Sequence, residues 1–168
     1  LAIAFGKPVH PHWEHMLLRA DQSVRFDLLS ADAATAFRLL NSQVDNPFGD
    51  VLDYRLFPDH VEVATLRYFD QSEMAAVNYD LTSLVRAIRA AAPTSAGGPP
   101  SEGQIVQTVI RTIEDNVAME AWMDNGGDLG RISVVGSGML VTAPRRFHPQ
   151  IAWVLEQIER TPGWTTGF

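Results

Sequence analysis

Apolar and polar residues alternate from Ser23 to Leu29, with Val24, Phe26 and Leu28 on one face and Ser23, Arg25 and Asp27 on the other. That period of two predicts a half-buried strand. Ser30 follows as a helix N-cap, with Asp32 in the first turn. In "ADAATAFRLLNSQ", Ala33, Ala36, Phe37 and Leu40 fall at i, i+3, i+4 and i+7, the stripe of an amphipathic helix. Asn46-Pro47 and Gly49-Asp50 break the chain, and "VLDYRLF" and "VEVATLRYF" flank "PDH" as a β-hairpin. The first unit reads β-α-β-β.

The second unit opens on a short strand, "MAAVNYDL", followed by a helix, "LTSLVRAIRAA", with Leu84, Val85 and Ile88 inward and Asp80 as its cap. "QIVQTVIRTIEDNV" carries the wide apolar stripe Ile105, Val106, Val109, Ile110 and Ile113. "RISVV" and "GMLVTA" form a hairpin across Gly136-Ser137-Gly138. The last helix runs from about Pro149 to Arg160, with Ile151, Val154, Leu155 and Ile158 on one face. Its order is β-α-α-β-β-α. Hairpins dominate, so the fold class is α+β: two small βαββ-type modules with short sheets covered by helices.

Three segments frame the chain: an irregular arm over 1–22, a first module over 23–72 and a second over 73–168. The arm's "KPVHPHWEH" holds two prolines, so regular helix begins no earlier than Pro11 and extends to Arg19. In the second module "APTSAGGPPSEG" (92–103) reads as an exposed, mobile loop.

Composition narrows the function classes. The chain has 168 residues, 46 % apolar and 20 % charged, a globular balance. It contains no cysteine, which excludes disulfides, thiol catalysis and zinc-thiolate sites. Acidic residues outnumber basic ones 20 to 13, and the tightest basic grouping is Arg145-Arg146. Nucleic-acid binding needs a phosphate-neutralising face, so it is not expected. No run approaches the ~18 apolar residues of a membrane-spanning helix. "LAIAFG" is too short for a signal peptide's apolar region and no initiator Met is present, so the sequence is expected to be a processed or trimmed piece of a longer protein.

Four features are candidates for chemistry or contact. The glycines of "DNGGDLG" and "GSG" lead into strands rather than a helix N-terminus, and no Lys stands in Walker spacing; turn geometry is the expectation, not a phosphate cradle. His10, His12, Glu14 and His15 lie within six residues. His and Glu are good ligands for zinc or copper, and on a helix His12 and His15 would share a face. The alternative is a solvated or partner-facing arm. His60 and His148 read as polar surface or capping residues. No Gly-x-Ser-x-Gly elbow precedes a helix, and Glu114-Asp115 read as solvated neighbours. Trp153 lies off the last helix's apolar stripe, which makes it a contact candidate beside Trp13, Trp164 and Phe168.

The second module carries a family pattern. Tyr79-Asp80, Leu84, Trp122, Asn125-Gly126-Gly127, Leu140-Val141-Thr142, His148, Ile151 and Leu155-Glu156-Gln157-Ile158 stand in its order. Over roughly residues 75–160 the chain resembles the periplasmic N-domains of bacterial secretins, most of all the secretin-type repeats of planctomycete envelope proteins. The segment 23–66 resembles the preceding short N-terminal module more weakly. Pro149, a second proline after Pro144, departs from the pattern and predicts a 3₁₀ turn or a delayed helix start. No secretin barrel sequence is present, so the resemblance does not extend to an outer-membrane pore for this piece.

The resemblance implies a non-catalytic structural module. It would have no catalytic residue and no cofactor, and would self-associate into a ring or lattice in a bacterial cell envelope, in the periplasm or at the outer membrane. Its partners would be copies of itself, then other envelope proteins or a missing part of the same chain. The alternative is a small metal-binding protein or enzyme centred on His10, His12, Glu14 and His15. A KH-like nucleic-acid module shares the topology but lacks the Gly-x-x-Gly loop and the positive charge.

Overall fold

The computed structural model describes residues 8–12, 35, 38, 39, 41, 42, 51–91 and 98–161. The chain divides into two units, Leu1–Ser72 and Glu73–Phe168. Both mix short sheets with helices, so the architecture is α+β.

In the first unit three strands, β1 (Val9–Pro11), β2 (Leu52–Leu56) and β3 (Val61–Thr65), form a sheet ordered β1-β3-β2. The hairpin β2–β3 is antiparallel, and its turn is closed by the Phe57 N–H donating to the His60 carbonyl at 2.9 Å. β3 is the central strand, and its residues suit a covered surface: β-branched Val61, Val63 and Thr65 are buried together with Ala64. Asn41 extends the ladder, its side chain accepting from the Leu52 N–H at 2.8 Å and donating to the Leu52 carbonyl at 2.9 Å. Helix α1 (Leu66–Ser72) follows β3 directly, with Thr65 Oγ1 accepting from the Tyr68 N–H at 3.2 Å.

Two expectations are corrected here. "VEVATLRYF" is not one strand: the cap on Thr65 turns the chain, and burial of Phe69 holds the helix that follows. Residues 9–11 are not irregular: β1 pairs in parallel with β3. Pro11 is tolerated because, among the described strands, β1 is an outer one, where a missing N–H breaks no ladder. The strand expected at 23–29 lies outside the described residues. Of the helix expected after Ser30, residues 35, 38, 39, 41 and 42 are described and helical.

In the second unit β4 (Met74–Asp80), β5 (Arg131–Val135) and β6 (Gly138–Pro144) form an antiparallel sheet ordered β4-β6-β5. Three helices accompany it: α2 (Thr82–Ala91), α3 (Glu102–Asn116) and α4 (His148–Arg160). Their expected stripes are inward. Leu84, Val85 and Ile88 of α2, the five stripe residues of α3, and Ile151, Val154 and Ile158 of α4 join Met139, Val141 and Ala143 of β6 in one apolar core. Leu155 packs at its edge, half-buried.

The helix ends follow local chemistry. Asp80 Oδ1 accepts from the Thr82 N–H at 2.8 Å at the start of α2. Ser101 caps α3 in a reciprocal box with Gln104, so Glu102 and Gly103, expected in the loop, are helical. Residues 92–97 of that loop lie outside the described residues. A 3₁₀ turn, Arg145–Phe147, precedes α4, with Pro149 in the helix's first turn, where no backbone N–H is needed.

Candidate functional site

The glycine-rich stretch wraps a tryptophan. Trp122 is fully buried, and its Nε1–H donates to the Val117 carbonyl at 2.5 Å. The chain then curls around it. The N–H groups of Asn125 and Gly127 donate to the Trp122 carbonyl at 3.0 and 2.8 Å, and those of Leu129 and Gly130 to the Ala121 carbonyl at 3.0 and 2.9 Å. The amides that an anion would need are therefore engaged inside the turn. Gly126 has φ +88°, and a Cβ on Gly130 would sit 2.5 Å from the Trp122 ring. The glycines are there for backbone conformation and close approach.

Glu114 stands behind this loop, on the last turn of α3, only 7 % exposed. Burial pushes its carboxyl above the ordinary range, and the neighbouring Asp124 carboxylate, which shares a hydrogen bond with it, adds to the rise. Its helix neighbour Asp115 acts in the same direction and Arg111 opposes. The pair expected from sequence, Glu114-Asp115, is thus not evenly solvated, and the partner that matters comes from the loop.

A shallow groove of about 300 Å³ opens beside α4, lined by Asn116, Val117, Pro149, Gln150, Trp153 and Val154. Trp153 is 60 % exposed, the off-stripe position that the helical period assigned to it. An indole left in water beside Val117 and Pro149 is the kind of surface that contact residues form. Trp13, Trp164 and Phe168 lie outside the described residues.

The histidines of the first unit meet across β1 and β3. The parallel register sets His10 opposite Glu62, and the period of two puts His10 with His12 and His60 with Glu62 on the face opposite buried Val61 and Val63. His60 Nε2 lies 3.4 Å from Glu62 Oε1, and His12 Nε2 lies 3.9 Å from Glu62 Oε2. His60 Nδ1 is 2.8 Å from Asp59 Oδ1. The His10 and His60 rings meet edge-on with centroids 4.8 Å apart, and Phe57 stacks on His60 at 4.6 Å. The Asp59 hydrogen bond, then that of Glu62, raises the His60 pKa, and His60 in turn lowers that of Asp59.

Sequence proximity had grouped His10 and His12 with Glu14 and His15, which lie outside the described residues. The structure groups His10 and His12 with His60 and Glu62 instead. The local signal was there in two His-x-His/Glu alternations, His10-Pro11-His12 and His60-Val61-Glu62, but their pairing is long-range.

His148 is a bridge rather than a surface residue: its ring nitrogens lie 3.0 Å from the Tyr79 hydroxyl and 3.2 Å from the Ala75 carbonyl. Among the described residues no helix is long and apolar enough to cross a membrane. No protein-family profile, curated protein or solved structure matches the chain.

Proposed function

We propose that the chain is a non-catalytic structural module that assembles with copies of itself into a ring or lattice in a bacterial cell envelope, as secretin N-domains do. The observation that carries this reading is Trp153, 60 % exposed on α4 beside an apolar groove. A large aromatic held in water beside Val117 and Pro149 gains most by burial against another protein, and Trp is among the commonest interface anchors. β4 and β5, the outer strands among those described, give a second means of contact, since an outer strand presents backbone donors and acceptors to a neighbour. The net charge of −7 is the same on every copy, so contact between copies rests on apolar and hydrogen-bonded surface rather than on attraction of opposite charge. The resemblance over 75–160 supplies the ring and the envelope.

Light scattering on the full chain over a concentration series, with electron microscopy of the particles, tests the proposal. The expected result is a concentration-dependent assembly that Trp153→Ser weakens, while the thermal midpoint stays put because the indole contributes little to the fold. A chain that stays monomeric at high concentration, or an assembly indifferent to Trp153→Ser, overturns it.

A further inference from the structure

We infer that His12, His60 and Glu62, with His10 at their rim, bind one divalent transition-metal ion, for which Zn²⁺ is the reference. This site lies in the first unit and is independent of the assembly proposal.

Spacing is the first ground. Metal–nitrogen and metal–oxygen bonds of about 2.0–2.1 Å in a tetrahedral site put neighbouring donors roughly 3.3 Å apart. The His60 Nε2 to Glu62 Oε1 distance of 3.4 Å is already one such edge. His12 Nε2, 3.9 Å from the second oxygen of the same carboxylate, needs to close by about half an ångström. His10 brings a third imidazole, its ring centroid 4.8 Å from that of His60. Among the described residues no three such groups yet surround a common point, so the ion would gather them by side-chain rotation. His10 is exposed and the side chains of His60 and Glu62 keep 23 % and 30 % of their surface open to water, whereas His12, 26 % open as a side chain, has its Nε2 buried and must turn it towards the ion.

Proton placement is the second ground. Asp59 accepts from His60 Nδ1–H at 2.8 Å. In the neutral ring the lone pair is then on Nε2 and faces the Glu62 carboxylate. Two lone-pair carriers face to face repel unless a cation lies between them. The carboxylate behind the imidazole is the outer-shell partner that fixes the tautomer of metal-binding histidines. Asp59 and Glu62 together bring two negative charges to neutral imidazoles, the balance a dication satisfies. Imidazole and carboxylate donors suit Zn²⁺ and, more tightly, Cu²⁺.

Because His10 and His12 belong to the β1 end and His60 and Glu62 to the β3 end, the ion would clamp an outer strand to the centre of its sheet. Bound metal should therefore raise the stability of the first unit.

The experiment is a Zn²⁺ titration of the full chain at pH 7.5 in competition with a chromogenic chelator, followed by proton NMR of the histidine ring resonances. Expected are one equivalent bound, a raised melting temperature reversed by EDTA, and shifts of the His12 and His60 resonances with His148 unmoved. Asp59→Asn should weaken binding about ten- to a hundredfold at unchanged stoichiometry. Glu62→Gln should weaken it at least as much, and His15→Gln should leave it as it was. Binding that survives Glu62→Gln, or is lost in His15→Gln, overturns the assignment. So does a wild-type titration in which Zn²⁺ leaves the His12 and His60 resonances in place, a readout that needs no variant to fold.

Discussion

The hydroxyl of Tyr79 lies 3.0 Å from Nδ1 of His148, joining the first strand of the second unit to the start of its last helix. The other ring nitrogen is 3.2 Å from the Ala75 carbonyl. One neutral tautomer satisfies both contacts: Nε2–H donates to Ala75, and Nδ1 accepts from Tyr79. Tyr79→Phe removes one partner of a part-buried bond and should cost about 1 kcal/mol in urea unfolding. Burial also raises the Tyr79 phenol above its usual value. A raised pKa means the folded state holds the proton more tightly. That contribution is complete below the unfolded value near 10 and is lost as pH rises through the folded one. Phenolate absorbance should therefore show a late component that Tyr79→Phe removes.

Glu114 sets a second pH dependence. Its carboxyl is raised by burial first and by Asp124 next, so the fold favours the protonated acid. The stability this adds is present below the ordinary glutamate value of 4.5 and is lost as pH climbs through the raised one. Glu114→Gln keeps the shape without the charge. Melting temperatures in a pH series should show the variant ahead of the wild type at neutral pH and level with it in acid.

The packing of Trp122 against the glycine loop is testable from either side. Trp122→Ala empties a fully buried site and should cost about 3–5 kcal/mol. Gly130→Ala leaves the ring in place but puts a methyl 2.5 Å from it, an overpacking cost of about 1–3 kcal/mol. Urea unfolding of both variants checks the order.

Two charges on one helix should separate by depth. Ile151 is fully buried, whereas Leu155 is half-buried at the edge of the core. Ile151→Asp should cost several kcal/mol and unfold the second unit, and Leu155→Asp distinctly less. Equal melts for the two variants would place the helix face elsewhere.

What could be read from the chain was local. The stripes of α2, α3 and α4 repeat within single helices, and nearly all their residues are buried as the helical period requires. The turn at Gly136-Ser137 and the effect of Pro149 rest on backbone chemistry carried by the residue itself. The failures came where a distant segment decides. Val9-His10-Pro11 looks irregular until β3 supplies its partner, and Leu66 to Phe69 continue a plausible strand until Thr65 caps them. Glu62 alternates with His60, but only the pairing of β1 with β3 makes it face His12 as well. Trp122 sits in a glycine-rich loop, and only the folded turn reveals that the glycines make room for its ring.

The parallel pairing of β1 with β3 also orders events in time. The β5–β6 hairpin closes over a turn at Gly136, and β2–β3 over a few residues around Asp59. Val9 and Val61 are roughly fifty residues apart, so joining them requires a far larger loop closure than the β2–β3 hairpin of the same sheet. Non-local closures of this kind slow folding, and hairpins form first. The sheet of the first unit should then exist for a time as a bare β2–β3 hairpin. His10 and Glu62 come opposite each other only when β1, arriving last, locks on.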